Sequence, residues 1–524
     1  MGSGRGVVLL CSIIVGCGGT GTGTGGSGDT GQENEPPIES APSGGDGERT
    51  GAPPVPTAPP TPSTPSGASP TLGTAHLVKD IFPPFNASPW TGFGPGLLVD
   101  FQGRLFFAAF FEDGRTGLWT SDGTEAGTVQ VKDFPAFQDT GVKELTPLGN
   151  RLFFAAGDAA HGQELWVSDG TPGGTRLVKD IAPGAGSSSP FALTPVNGSL
   201  LFFCFRPETA TSPGRTELWR TDGSEAGTVL VRDMGPDSSL SASRVRVGDT
   251  LFFSFTDAAH GTELWKTDGT ESGTVIVKDI QPGAAHSYPS QLQALGSSVF
   301  FFTFTPTQGR ELWRTDGSEA GTTRVREISA GPEGPTASLL PGNTDGNLYL
   351  TLSEPSDQLM RLYALEPDGA GAVQERLVTT LPNTYAQQAD ALPYITTSTR
   401  AGGKLFFGQA LSSPGPSPRD VQLWVTDGTA AGTRMLSRPL SRSDEFTTGL
   451  HALDDRILYS STSDAEGLEP WVSDGTAAGT HLVQDITPGA SSYPHDFTRV
   501  GSSVFFVATD SLHGSELWVL PLED

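Results

Sequence analysis

Methionine and cysteine are scarce in this chain: four and three among 524 residues. Three cysteines cannot build a disulfide framework, and Cys204, alone in the apolar stretch LLFFCF, reads as a small buried hydrophobe. Basic residues are also few. Lys and Arg total 32 against 59 Asp and Glu, a formal charge of −27, which repels phosphate backbones and excludes nucleic acid as a partner. Sustained helical periodicity is missing, as are GxSxG, HExxH and P-loop motifs. One GxGxxG match, at Gly21, Gly23 and Gly26, has no strand before it and no helix after it, so it is no dinucleotide site.

Long apolar runs are absent as well. The only N-terminal one, Val7 to Val15 behind Arg5, is too short to span a bilayer and reads as a signal h-region. It ends in Ile14, Val15, Gly16 and Cys17, which resembles the lipobox of bacterial lipoproteins. That resemblance implies a signal peptide over 1–16, lipid attachment at Cys17, and an exported, envelope-bound protein of the outer membrane. From 17 to 73 the chain is Gly, Thr, Pro and Ser with almost no aromatic residue. It cannot bury enough surface to fold and reads as a disordered tether.

What is abundant is turn and sheet chemistry. Gly (68) and Pro (42) punctuate the sequence, and Phe (29) and Trp (9) supply a core suited to pleated surfaces. From about residue 74 to 524 one pattern recurs: an LFF run, a polar loop, ELW, a DGT turn, then LVKDI. Trp119, Trp166, Trp219, Trp265, Trp313, Trp424, Trp471 and Trp518 mark eight copies, and Tyr363 marks a degenerate ninth. Spacings of 46 to 61 residues with four strands per copy match the blades of a β-propeller. The LFF strand is apolar on both faces, as neighbouring blades require, and the recurring Trp is an inter-blade packing residue. The folded part opens with AHLVKDI, a fourth strand without its first three, and closes with a second and third strand lacking a fourth. Pairing Leu77 to Ile81 with Glu516 to Val519 completes a blade and removes both open edges. The expectation is therefore an all-β propeller of about nine four-stranded blades, with eight as the alternative.

These repeats resemble the bacterial ELWxxDGT repeat proteins, over nearly everything after residue 74. The resemblance implies an envelope repeat protein with no assigned reaction. The chain departs from the pattern at Tyr363 to Leu381 and at MLSRPL, where distorted blades are expected. The order of LFFAA, LW and DGT is also similar to quinoprotein propellers. That bears on the fold alone, because ligands for a quinone are missing.

Few motifs point to chemistry. One Asp per DG turn (Asp122, Asp169, Asp268, Asp474) falls well short of a calcium shell, and hairpin-turn chemistry accounts for it. Three loops read DxxHGxE: Asp158, His161 and Glu164; Asp257, His260 and Glu263; Asp510, His513 and Glu516. They sit on the second, fourth and ninth blades, cannot converge on one ion, and read as capped loops. No metal, cofactor or catalytic residue is expected. The function expected is non-catalytic: a monomeric binding or scaffold module anchored by lipid, taking a cell-surface protein, glycan or matrix ligand. The alternative is an exported glycosidase or lyase with a carboxylate pair at the central channel. The longest irregular segments (206–216, 381–399 and 410–420) fall in second-to-third and fourth-to-next-first connections, the face opposite the DG turns. Tyr385 and Tyr394 are the candidate ligand anchors there.

Overall fold

A computed structural model describes residues 70–523, except 83–93, 137–140, 208–212, 330–334, 343–345, 368–372, 387, 389–391, 413–418, 442–448 and 464. Cys17, the signal segment and nearly all of the tether lie outside the described residues.

The LFF runs become second strands because their side chains are wanted on both sides. In Arg151–Asp158, Leu152, Phe153, Phe154, Ala155 and Ala156 are all fully buried. Phe154 joins a core shared with the preceding blade, and Phe153 joins one shared with the next. A sheet sandwiched this way has no polar face, which explains a continuous apolar run where a two-sided strand would alternate.

Every described strand belongs to one of nine antiparallel sheets; eight have four strands in sequence order, and the ninth has five drawn from both ends of the chain. Blades 1 to 8 span 94–134, 143–179, 190–236, 239–278, 290–327, 336–381, 394–441 and 451–482. Blade 9 combines both ends of the chain. His495–Val500, Ser503–Asp510 and Gly514–Glu523 are followed in space by His76–Lys79, with His76 opposite Val519, Leu77 opposite Trp518 and Lys79 opposite Leu517. Thr71–Leu72 adds a second short pairing to the same C-terminal strand. Closure buries apolar surface: Val78, Phe505, Leu517 and Val519 share one core with Leu105, Phe107 and Ala109 of blade 1.

The two degenerate repeats keep the blade. Met360–Pro367 pairs with Val373–Leu381, and Arg419–Thr426 with Arg434–Ser441. Tyr363 takes the Trp position in blade 6, with the Arg326 guanidinium 5.5 Å from its ring centroid. No helix among the described residues is long and apolar enough to cross a membrane.

Candidate functional site

The two faces of the ring are built differently. On the DG face, Asp122, Asp169, Asp222, Asp268, Asp316, Asp427 and Asp474 each accept the N–H and the hydroxyl of the Thr or Ser two residues on. That hydroxyl in turn accepts the N–H of a glycine three residues further along, Gly127 in the first turn. A Cβ on Gly127 would sit 2.0 Å from the Asp122 carboxylate, so only glycine fits there. These bonds hold the Asp122, Asp169 and Asp222 carboxyls below the usual carboxylate range. The carboxylates are spent on their own turns, and no group of three metal-ligating side chains occurs among the described residues.

The Trp side chains join blades. Trp166 packs edge-on against Phe134 of blade 1 at 5.1 Å between centroids, and Lys132 lies 5.1 Å from its ring. Lys179 and Arg232 likewise cover Trp219 and Trp265 of the following blades. Of the others, Trp424 and Trp518 are buried, while Trp119, Trp313 and Trp471 are half-buried.

The DxxHGxE loops divide their labour. Asp158 accepts the N–H groups of Ala160 and His161, and His161 Nδ1 lies 3.0 Å from it; Asp257 with His260 and Asp510 with His513 repeat the arrangement. The glutamate turns the other way. Glu164 is fully buried and accepts the N–H groups of Ile181, Ala182 and Ser188 and the Ser188 hydroxyl. Glu263 and Glu469 clip the exits of their own fourth strands in the same manner. Glu516 clips the closing strand, accepting the N–H groups of Ile81 (3.0 Å) and Phe82 (2.6 Å). Burial outweighs these bonds and pushes Glu263 and Glu516 up to about 8 and Glu469 up to about 7. Sequence reasoning missed this clip. Its signal was present: the glutamate two residues before the repeat Trp accompanies DI-x-P and a serine two residues before proline in blades 2, 4 and 8, whereas blade 7 has Gln422 and no DI.

The strand ends that flank the irregular connections, Arg206 and Arg215, Leu381 and Tyr394, and Ser412 and Arg419, lie at the opposite face; residues 208–212, 387, 389–391 and 413–418 of those connections lie outside the described residues. Tyr385 is half-buried, and its hydroxyl donates to Asp420 over 3.5 Å; Gln422 donates to the same carboxylate at 3.2 Å. Tyr394 lies within the first strand of blade 7, 9% exposed in a core with Phe406 and Tyr459. It therefore offers little surface to a ligand, whereas Tyr385 keeps an accessible flank.

The same face holds a cavity of about 310 Å³ on blade 4, lined by Ser239, Leu240, Ser241, Ala242, Thr256, Thr262 and His286. Thr262 N–H donates to His286 Nδ1 over 3.0 Å, and Thr262 Oγ1 lies 2.9 Å from that nitrogen and 2.8 Å from Thr256 Oγ1. Nδ1 is thus an acceptor, and the ring's proton sits on Nε2. The Tyr288 ring stacks on the imidazole at 4.9 Å with an interplanar angle of 11°.

No family model matches the chain, and no curated protein matches it. Among solved structures it is similar to the Pyrococcus horikoshii acylaminoacyl peptidase (12% identity, 66% of this chain and 52% of that one, TM-score 0.33). It is also similar to an oligogalacturonate lyase in complex with manganese (13%, 87% and 99%, 0.35) and to Saccharomyces cerevisiae Sqt1 (10%, 86% and 100%, 0.40). A structure from a study of two prolyl endopeptidases matches at 14% identity, with 72% of this chain and 54% of that one covered and a TM-score of 0.39. The chain spans about half the length of the two peptidase structures. Likeness at these scores bears on no activity.

Proposed function

We propose that this protein is an exported, lipid-anchored envelope module that binds a cell-surface protein, glycan or matrix component through the face opposite the DG turns, without catalysis. The observation that carries the reading is the contrast between the faces. Seven turns on one face repeat a single hydrogen-bond pattern that consumes their own polar groups. The other face gathers the strand ends that flank the irregular segments, Tyr385 and the blade 4 cavity. Repeat folds keep what holds the array together uniform and vary what meets a partner. A carbohydrate-active enzyme on this frame would need a carboxylate pair at the channel. The described first strands, which line the centre of the ring against one another, offer only Asp100, Glu144 and Asp496, and Glu144 is engaged by the Ala192 and Leu193 N–H groups.

Anchoring is supported by the short h-region ending at Cys17 and the Pro- and Gly-rich stretch that follows. Cys17→Ser is expected to move the protein from the membrane fraction to the soluble fraction; retention in membranes would contradict anchoring. The binding reading is tested by incubating the Cys17→Ser protein with cell-surface extract and identifying what it retains. Specific retention of a surface component is expected. Retention of nothing above a denatured control would overturn the reading.

A further inference from the structure

The repeats supply internal controls, and one loop departs from them in a way that folding does not require. The connection from the fourth strand to the next blade places a side-chain acceptor against the N–H of the second residue of the third strand. In blade 2 it is Ser187 Oγ, 2.9 Å from Gln163 N; in blade 5 Ser329 Oγ, 3.0 Å from Arg310 N; in blade 8 Ser491 Oγ, 3.0 Å from Leu468 N. Blade 4 alone among these uses an imidazole, His286 Nδ1, 3.0 Å from Thr262 N. A serine hydroxyl satisfies this N–H elsewhere, so the rest of the imidazole is surplus to the fold. That surplus is an Nε2–H with no partner among the described residues, on a ring that lines the cavity.

A second departure lies across the same cavity. The first strands of blades 1, 2, 3, 5 and 9 carry a bulge in which two residues oppose one, as Ala192 and Leu193 do between Phe191 and Thr194. In blade 4 three residues do so: Leu240 pairs with Phe255 and Arg244 with Phe253, so Ser241, Ala242 and Ser243 face Ser254 alone. The extra residue turns Ser241 and Ala242 to the cavity and leaves their backbone outside the ladder. Ser254 opposite them is fully buried, and its hydroxyl has no partner.

From these two departures we infer that the blade 4 cavity is a binding site for a neutral saccharide. The lining holds four hydroxyls (Ser239, Ser241, Thr256, Thr262), one imidazole, the apolar Leu240 and Ala242, and no charged side chain. Such a wall matches a ligand that alternates hydroxyls with C–H faces. An anion would meet no cation in the lining of a protein with a formal charge of −27. A cation would meet no carboxylate in the lining. Stacking on Tyr288 holds the imidazole plane, and the Thr262 N–H fixes its tautomer, so Nε2–H is a preset donor to a sugar oxygen.

The inference rests on the binding-module reading and names its ligand class. Calorimetric titration of the Cys17→Ser protein would use maltose, cellobiose, lactose and N,N′-diacetylchitobiose, with glucuronate and glucose 6-sulfate as anionic counterparts. At least one neutral sugar is expected to bind. His286→Ser, which installs the acceptor used in the sibling blades, should weaken that sugar by about tenfold or more with an unchanged melting temperature. Ala242→Trp, at an exposed lining position, should abolish binding by filling the cavity. The inference is overturned if no neutral sugar binds, if the anions bind better, or if both variants bind like the parent. Retention of a surface component by a protein that fails this titration would leave the binding-module reading standing and remove only the saccharide site.

Discussion

Asp122 and Gly127 illustrate how a short motif can look like a ligand site and be consumed by the backbone. The aspartate bonds Thr124 twice, and Gly127 leaves the space its carboxylate occupies. Gly127→Ala should lower stability by about 1–3 kcal/mol, the range for a side chain forced into occupied space, measured by chemical unfolding. The buried glutamates make a different prediction. A carboxyl held at about 8 when folded, against 4.5 in its ordinary state, keeps its proton more firmly in the folded protein. Its contribution to stability is therefore full below the ordinary value and is lost as pH rises through the folded one. With Glu263, Glu469 and Glu516 all raised, the melting temperature should fall between about pH 4.5 and about pH 8. Glu263→Gln keeps an acceptor for Ile280 and Gln281 N–H and should flatten part of that slope; a profile as steep as the parent's would contradict the assignment.

Strands show what was legible in the sequence and what was not. Eight tryptophans at a near-constant interval, an LFF run without alternation and unmatched ends led to nine blades and a closing pair, because each feature reports on backbone pairing or on burial from two sides. Tyr394 was harder to read. Its segment looked irregular, but the strand continues through it and takes the ring into a core. The lysine of LVKDI was also opaque, since its partners lie on the next repeat. Lys79, Lys179 and Lys278 donate to the Thr128, Thr228 and Thr322 carbonyls at 2.9–3.0 Å, so each fourth strand is tied to the turn of the following blade. Lys179→Met should remove that bond and the cation over Trp219, costing about 1–2 kcal/mol in chemical unfolding. No change would place the link outside the stabilising contacts.

At the scale of the whole molecule, the ring is closed by pairing residues more than 430 positions apart, as Glu516 with Phe82 shows. Removing residues 71–82 would expose the C-terminal strand and the Val519 side of its core, and should lower the melting temperature and promote self-association. Equal stability and a monodisperse truncated protein would contradict closure. The closed ring matters to function because it fixes two faces of unlike chemistry, one self-satisfied and one varied. The central claim is that the varied face makes the contact, and a comparison of face variants tests it most directly. One variant replaces the exposed Glu125, Glu225, Glu271 and Glu319 of the turn face with Ala; the other combines Tyr385→Ala with His286→Ser. Retention of the surface component by each would be measured at matched melting temperature. The account predicts parental retention by the turn-face variant and loss by the second, and the reverse pattern would contradict it.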